Sequence, residues 1–332
     1  MGHTGVGGAD PAGRVGAARR EWFDQPRCFL TEHLNGHWDA RTERRVSRAL
    51  ALPPLPSRRP RDEVWGVSVV RDEADIIELS VAHLLDQGVD HVLVADHLSH
   101  DGTTEKLRDL AWRDHRVHVV ADREPGHFQK EKVSRLARAA WRAGARWIVP
   151  FDADEFWFAP GQPLASYLLE REATVVSGRM VDLLPLCAPV DRSTDFLVDR
   201  TGAGPRKVAF RAHPLALVGP GNHGVARVGA DEPGLIVAHV PYRGPSQMRR
   251  KFATGASALR AAGASAAEGW HWAAGERYSE DQVAERWGAM RRGESVAEIG
   301  WRGVDPSRTR RVLEWTCWPA AGDGRCQRPD LP

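Results

Sequence analysis

Residues 147–156 read Trp147-Ile148-Val149-Pro150-Phe151-Asp152-Ala153-Asp154-Glu155-Phe156, an apolar run that ends in three carboxylates. A run of this kind predicts a buried strand. Ligands bind beyond the carboxyl ends of the strands in an open α/β sheet, so Asp152 and Asp154 are expected at a ligand site. Two carboxylates a few Å apart repel each other, and a hard divalent ion such as Mg²⁺ or Mn²⁺ relieves that repulsion. Because the same ion would neutralise a diphosphate, the stretch predicts a metal–nucleotide enzyme.

Strands and helices alternate around this stretch. The helix over 128–143 is the clearest, because its apolar residues recur at helical spacing and Gly144 ends it. Strands that alternate with helices of this length predict a largely parallel sheet flanked by helices. After Pro160 the alternation loosens. The expected strands are 64–70, 92–95, 117–120, 147–151, 174–181, 208–211 and 235–239, and the expected helices are 75–87, 103–112, 128–143 and 246–261.

Composition excludes several classes of protein. With 332 residues, 42% apolar and 27% charged, the chain is typical of a globular protein. A net charge of +2 gives no general attraction to nucleic acid. The four cysteines show no C-x-x-C spacing for zinc and favour a reducing compartment, although their even number leaves disulfides open. We see no apolar segment long enough for a membrane span and no signal peptide, so we expect a cytoplasmic protein, with peripheral membrane contact through basic patches as the open alternative.

The domain organisation is predicted in three parts. Residues 1–60 form an N-terminal extension, disordered over its first twenty residues, with one or two short helices before a proline-rich linker at 52–60. Residues 61–255 form the α/β domain. Residues 256–332 form a mainly helical C-terminal extension.

Polar loops follow the first two predicted strands. The first contains Arg71, Asp72 and Glu73, which could hold a base and a ribose; alternatively, its aspartates cap the following helix. Asp96 ends the second strand, where it suits hydrogen bonds from a ribose or base. For Asp152 and Asp154 the alternative is an exposed acidic turn, but their place after the fourth strand favours a site.

The motifs together resemble a known family. The chain contains, in this order, strand–R-D-E–helix, strand–A-D-H-L-S-H-D-G-T–helix and F-D-A-D-E-F. This order of motifs resembles that of the family 2 glycosyltransferases of the GT-A fold, in the branch with a D-x-D-E-F motif. The similarity covers roughly residues 64–160 and continues more weakly through Gly221-Asn222-His223 and His239-Val240-Pro241-Tyr242-Arg243-Gly244. The sequence departs from the family at His97 and Gly244. The implied fold is a GT-A type, Rossmann-like, mostly parallel sheet flanked by helices, with a helical C-terminal extension.

The resemblance implies a function. It implies transfer of a sugar from a nucleotide-sugar donor, a uridine diphosphate sugar in most members, to an acceptor hydroxyl with inversion. It further implies that Asp152 and Asp154 contact Mn²⁺ or Mg²⁺ and the donor, while Asp96 and the Arg71–Glu73 loop contact the nucleoside. The acceptor is a glycan, a lipid-linked molecule or a small molecule. Inversion needs a general base, for which the candidates are Asp182, Asp191, Asp195, Asp231 and Glu232.

Further residues could complete such a site. A neutral imidazole can be a third ligand for Mn²⁺, and His239, which ends an apolar run, is favoured over His223. The alternative for either histidine is a structural role. Phosphates could be clamped by cations at four positions, for each of which a solvated surface charge is the alternative. These cations are Lys207, Arg243, Arg250 and Lys251. Among the tryptophans, only Trp157 is expected near the site.

Two other functions stay open. One is a catalytically silent GT-A-like module that binds a nucleotide or a glycan. The other is a metal-dependent nucleotidyltransferase or phosphohydrolase, which shares the carboxylate–metal–diphosphate chemistry. A nucleotidyltransferase usually has a glycine-rich loop after the first strand, and 69–73 contains no glycine.

Overall fold

The fold is a mixed α/β structure, seen in a computed structural model that describes residues 11–56, 62–199, 204–263 and 269–319, with side chains from Phe23 onward. The helices are α1 (Pro11–Leu34), α2 (Ala40–Ala49), α3 (Ile77–Asp86), α4 (Thr103–Arg113), α5 (Gln129–Ala143), α6 (Leu164–Leu169), α7 (Pro245–Ala262), α8 (Trp270–Gly275) and α9 (Glu280–Arg291). The strands are β1 (Leu50–Ala51), β2 (Glu63–Val70), β3 (His91–His97), β4 (Val117–Asp122), β5 (Ala145–Pro150), β6 (Glu155–Phe158), β7 (Val175–Pro185), β8 (Phe196–Asp199), β9 (Lys207–Arg211), β10 (Leu217–Val218), β11 (Val225–Ala226), β12 (Asp231–His239) and β13 (Val304–Arg310).

The central sheet has the strand order β1-β4-β3-β2-β5-β9-β7-β12-β6. Strands β4, β3, β2 and β5 are parallel neighbours, and β7 and β12 are parallel to each other. Strand β9 lies antiparallel between β5 and β7, so these two halves point the same way. The carboxyl ends of β5, β7 and β12 therefore meet at one rim. The expected mostly parallel sheet flanked by helices is confirmed.

Both faces of the sheet are buried, because alternate residues along the central strands pack into separate cores. Val94 and Val149 belong to the core beneath α3 and α6, whereas Leu93 and Ile148 belong to the core beneath α5. Strands covered on both faces read as nearly continuous apolar runs. This burial explains why the strands of the first half could be predicted from the sequence within a few residues.

The N-terminal segment differs from the predicted extension. Helix α1 begins at Pro11, within the segment expected to be disordered. Residues 1–10 lie outside the part of the chain that the structure describes. Strand β1 pairs with β4 and extends the central sheet. The buried Gln25 side chain donates to the carbonyls of Leu215 and Ala226 and accepts from Arg227 and the Val228 amide. This segment is thus packed onto the α/β domain.

The C-terminal segment is only partly helical. Helix α7 crosses the predicted boundary at 255, and α9 packs with α7 around Phe252 and Val283. Strand β13 pairs with β8, which joins it to the edge of β7. Cys317 is disulfide-bonded, an outcome that the even cysteine count left open, while Cys28 and Cys187 carry free thiols. Within the described residues, no helix is long and apolar enough to cross a membrane.

Strand β6 is the main element that sequence patterning did not predict. It begins at Glu155, directly after the acidic residues, and runs antiparallel to β12. In this register Glu155 lies opposite His239. The short strand β6 therefore places the end of β12 next to the acidic turn at 152–155.

Candidate active site

The carboxyl rim of the sheet holds the strained backbone of the described chain. Asp72, Leu98, Phe128 and Asn222 have positive φ angles of 56°, 54°, 30° and 58°. Non-glycine residues rarely adopt this conformation, and such strain clusters at functional sites. The first three lie in the segments that follow β2, β3 and β4, respectively. Asn222 contacts Asp152. Four independent strained positions thus converge on the rim that the sequence predicts to bind a ligand.

Asp152 lies two residues after the end of β5, with a side chain that is 31% exposed. Lys207, at the start of β9, reaches it across the rim with 2.8 Å between Nζ and Oδ2. Gln129 and Asn222 donate to Oδ1 at 3.0 and 3.3 Å. Burial raises the pKa of Asp152, but the Lys207 ammonium outweighs it and holds the pKa below its usual range.

Asp154 is more deeply placed, at 3% exposure. Its Oδ2 accepts a hydrogen bond from the Lys251 ammonium on α7, and it lies 3.7 Å from His239 Nε2. Burial would raise the pKa of this carboxyl, yet Lys251 and His239 hold it well below its usual range. Asp154 is therefore ionised and already neutralised by side chains of the protein.

His239 lies between two carboxylates. Its Nδ1 is 2.8 Å from Asp182 Oδ1, and its Nε2 faces Asp154. Burial lowers the pKa of an imidazole, but Asp154 and Asp182 outweigh this and raise the pKa of His239 to about 9. The other oxygen of Asp182 accepts from Arg302 at 2.7 Å, and the same guanidinium reaches Asp199 at 3.2 Å. Arg302 comes from the C-terminal segment, and sequence reasoning did not find it.

Glu155 also belongs to this cluster, although no role was predicted for it. It is fully buried, 2.6 Å from Lys207 Nζ, and its Oε2 accepts from the Asp152 amide at 3.2 Å. Burial raises its pKa to about 7, against the nearby Lys207. The D-x-D-E spacing could have identified it, since a carboxylate at the start of β6 lies on the same turn as Asp152.

Arg243 lies in a buried ion-pair network, not on a solvated surface. Its guanidinium bonds the Glu73 carboxylate and reaches Asp75 at 2.7 and 3.0 Å. Burial raises the pKa of Glu73 despite the Arg243 charge, whereas the pKa of Asp75 is held low by Arg243 against its own burial. Arg250 lies 3.5 Å from Asp75. The network joins the loop after β2 to the segment that follows β12.

The loops after β2 and β3 are hydrogen-bonded to each other. Asp72 accepts from the His100 amide at 2.7 Å, and its own amide donates to Ser99. Asp96 accepts from the Ser99 amide and from the Thr104 hydroxyl. Neither Asp72 nor Asp75 caps α3, which has no side-chain cap. Arg71 lies in the same loop, 3.9 Å from Asp72 Oδ2.

Several sequence candidates lie away from the acidic turn. Trp157, expected near the site, is fully buried in the core, where its carbonyl lies 2.9 Å from His83 Nε2. Asp191 accepts from the Ser193 amide and the Thr194 hydroxyl in an exposed turn, and Asp195 pairs with Arg311. Asp231 and Glu232 begin β12 at the end opposite His239. Of the five candidate bases, only Asp182 lies in the cluster.

The residues predicted to contact a metal are not all brought together. His223 is exposed, with Nδ1 2.8 Å from the Arg206 carbonyl oxygen, and its neighbour Asn222 is the residue that contacts Asp152. Among the described residues, no three His, Cys, Asp or Glu side chains are arranged to hold a metal ion. Lysines instead lie against both carboxylates. As arranged, these residues do not form a metal site.

Comparison with known proteins gives remote structural similarities. No protein-family model matches the chain, and no curated protein sequence matches it. The mannosyltransferase PcManGT from Pyrobaculum calidifontis, in complex with GDP-Man and Mn²⁺, is 17% identical, with 85% of this chain and 88% of that chain covered and a TM-score of 0.36. S. aureus TarS 1-349 in complex with UDP is 12% identical, with 69% and 79% covered and a TM-score of 0.34. S. aureus TarS is 15% identical, and the matched part spans 40% of this chain but only 23% of that chain, with a TM-score of 0.28. Similarities at this level do not establish a function.

Proposed function

We propose that the chain is a glycosyltransferase that uses a nucleotide-sugar donor. The observation that carries this proposal is the cluster at the carboxyl rim, where Asp152 and Asp154 meet Lys207, Lys251 and His239. Strained loops surround this cluster, and the rim is the usual ligand-binding position of an α/β sheet.

The cations suit a diphosphate leaving group. Breaking the bond between a sugar and a diphosphate leaves negative charge on the phosphate oxygens, and preorganised cations stabilise that charge. The buried Lys207 and the partly exposed Lys251 come from different elements and face one turn of chain. Arg243 is not proposed to contact the phosphates. Its ion pairs position the loop that contains Glu73.

The donor nucleoside is proposed to bind over the loops after β2 and β3. Arg71, Asp72 and Glu73 lie in the first loop and Asp96 lies near the end of β3, and the hydrogen bonds between the loops hold their backbone in place. A uridine diphosphate sugar is the donor that the sequence resemblance favours. A hydroxyl of a glycan, a lipid-linked molecule or a small molecule is the proposed acceptor, and the resemblance favours inversion.

Asp182 and His239 are proposed to work together. Both oxygens of Asp182 have partners, His239 on one side and Arg302 on the other. Its supported role is therefore to orient the imidazole, as carboxylates do for catalytic or ligating histidines. Taking the proton of the acceptor hydroxyl remains the alternative role for Asp182.

Mn²⁺ or Mg²⁺ remains a prediction for this site. Asp152 and Asp154 carry suitable oxygen atoms, and His239 would have to lose its proton to act as a ligand. Such an ion would supply Lewis-acid stabilisation of a departing diphosphate. These side chains would first have to part from Lys207 and Lys251.

A thermal-shift panel tests the proposal. UDP, GDP and their sugar conjugates are added to the full chain with Mn²⁺, Mg²⁺ or excess chelator, and sugar transfer to hydroxyl acceptors or water is followed by mass spectrometry. A ligand at about 100 times its dissociation constant should stabilise the fold by roughly 2.7 kcal/mol. Binding without product would favour a silent binding module. Release of pyrophosphate from a nucleoside triphosphate would identify a nucleotidyltransferase. Absence of any nucleotide-dependent shift would refute the proposal.

A further inference from the structure

One side of helix α7 connects the acidic turn to the loop after β4. Lys251, Gly255 and Ala258 recur at helical spacing, so they lie on the same side of α7. Lys251 bonds the Asp154 carboxylate, and the Ala258 carbonyl accepts a hydrogen bond from the His127 amide at 3.1 Å. The groups that pack along this side of α7 are therefore neighbours of the proposed active site.

Helix α8 packs on the same side of α7. The Trp272 indole lies directly on Gly255, where any Cβ would collide with the ring. Its ring centroid lies 5.4 Å from that of His127, edge to face, and 5.1 Å from that of His271. The indole therefore lies between two imidazoles that come from different elements, one from the loop after β4 and the other from α8.

Both imidazoles lie close to the charged groups of the acidic cluster. The pKa of His271 is lowered to about 4, chiefly by burial and also by the charges of Lys251 and His239. The pKa of His127 is likewise lowered to about 4, chiefly by burial, while the charge of Asp152 acts in the opposite direction. Both rings are therefore neutral at pH 7.

These two imidazoles have unused hydrogen-bonding capacity. The side chains of His127 and His271 are half-buried, and neither ring has a hydrogen-bond partner among the residues that the structure describes. A neutral imidazole carries one donor and one acceptor. Sites for small molecules typically combine aromatic surface with a few polar groups of this kind. The pair and the indole between them therefore have the composition of a binding surface.

We propose that His127, His271 and Trp272 form an acceptor wall that binds a neutral carbohydrate, with the two imidazoles in contact with it and the indole holding them in position. This inference rests on the proposed function, and it selects a glycan among the three classes of acceptor. Sugar hydroxyls donate and accept hydrogen bonds, as the two neutral rings do. An anionic acceptor would require free cations, whereas the nearby Lys251 is already bonded to Asp154. A lipid chain would require continuous apolar surface, which the imidazoles interrupt.

The test is a nuclear magnetic resonance titration of the full-length protein labelled with ¹⁵N and ¹³C at histidine. The probes are the methyl glycosides of glucose, mannose, galactose and N-acetylglucosamine and short neutral oligosaccharides of these sugars, added without nucleotide and again with UDP. Glucose 1-phosphate is the anionic probe. At least one neutral probe should shift the ring signals of both His127 and His271, which are assigned by substitution.

Substitutions then measure the contribution of each ring. His127→Phe and His271→Phe keep an aromatic ring but leave a bound hydroxyl without its partner, so each should weaken binding of that probe about tenfold, or about 1.4 kcal/mol. His271→Gln keeps a donor and an acceptor and should weaken binding less than His271→Phe. His115→Phe is the matched control, since His115 is exposed and precedes β4 at the opposite rim of the sheet, and it should leave probe binding unchanged.

The positioning role of the indole has its own readout. Trp272→Leu removes neither imidazole, yet it should weaken probe binding about as much as the loss of one ring. A purely structural role would instead lower the melting temperature and leave probe binding intact. A cooperative melting transition in every variant shows that the fold is retained.

Three outcomes would overturn the inference. The first is that no neutral probe shifts the two ring signals in either condition. The second is that His127→Phe and His271→Phe bind the probe as tightly as wild type. The third is that only glucose 1-phosphate binds. The titration without nucleotide judges the acceptor wall by itself, whereas the absence of any nucleotide-dependent thermal shift would count against the proposed function.

Discussion

The protonation of His239 should make the stability of this protein fall at alkaline pH. The imidazole lies between Asp154 and Asp182, which raise its pKa from 6.5 to about 9. A group with a raised pKa in the folded state stabilises the fold fully below its unfolded pKa. That contribution is lost as the pH rises through the folded value. The window therefore runs from about pH 6.5 to about pH 9.

The size of the loss follows from the same shift. Each unit of pKa difference is worth about 1.36 kcal/mol, so a rise from 6.5 to about 9 corresponds to about 3 kcal/mol. The side chain is 20% exposed, so solvent screens this interaction only in part. His239→Gln removes the titrating group. The unfolding free energy of wild type should fall relative to that of the variant by about 3 kcal/mol across this window.

The assay is urea denaturation at constant ionic strength between pH 6 and pH 10, with linear extrapolation to water. His223→Gln is the matched control, since burial lowers the pKa of His223 and its titration lies below this window. Its curve should stay parallel to that of wild type. Parallel curves for wild type and His239→Gln would refute the pairing of His239 with Asp154 and Asp182.

Three further substitutions test other parts of the structure. Asp154→Asn should abolish sugar transfer yet keep a cooperative melting transition, because the shape of the side chain is retained while the charge facing Lys251 is lost. Unchanged turnover would mean that Asp154 is not part of the active site. Gln25→Ala should destabilise the fold by about 1–3 kcal/mol, measured by urea denaturation, because it leaves buried backbone groups without partners. Gln162→Ala removes only an exposed hydrogen bond to Glu170 and should have little effect. Arg243→Met should cost about 3–5 kcal/mol and weaken nucleotide binding in the thermal-shift assay, because it removes the buried partner of Glu73 and leaves Asp75 with only the partly exposed Arg250 at 3.5 Å. Full stability would mean that the buried network contributes nothing.

Much of the fold could be predicted from local pattern. Apolar runs and helical spacing report burial directly, and they placed β2 to β5 and the helices between them within a few residues. The position of Asp152 and Asp154 at a strand end followed from the same pattern. His239 could be placed near the same rim because its apolar run also ends there, and the parallel pairing of β12 with β7 confirms this placement.

The partners of these residues could not be predicted in that way. Lys207 lies 55 positions from Asp152, Lys251 lies 97 positions from Asp154, and Arg302 lies 120 positions from Asp182. A lysine or an arginine in a polar stretch has the same local pattern whether it is solvated or buried against a carboxylate.

The sequence by itself therefore determined the strand–helix alternation, the buried strands and the acidic turn at a strand end, because each depends on neighbours within a few residues. Tertiary structure alone decided that both aspartates are neutralised by lysines, that Arg243 is buried against Glu73 and Asp75, and that the N-terminal segment is part of the domain. These features depend on strand order, register and helix packing. Charge pairing in a folded chain is set by distances in space, which local periodicity does not encode.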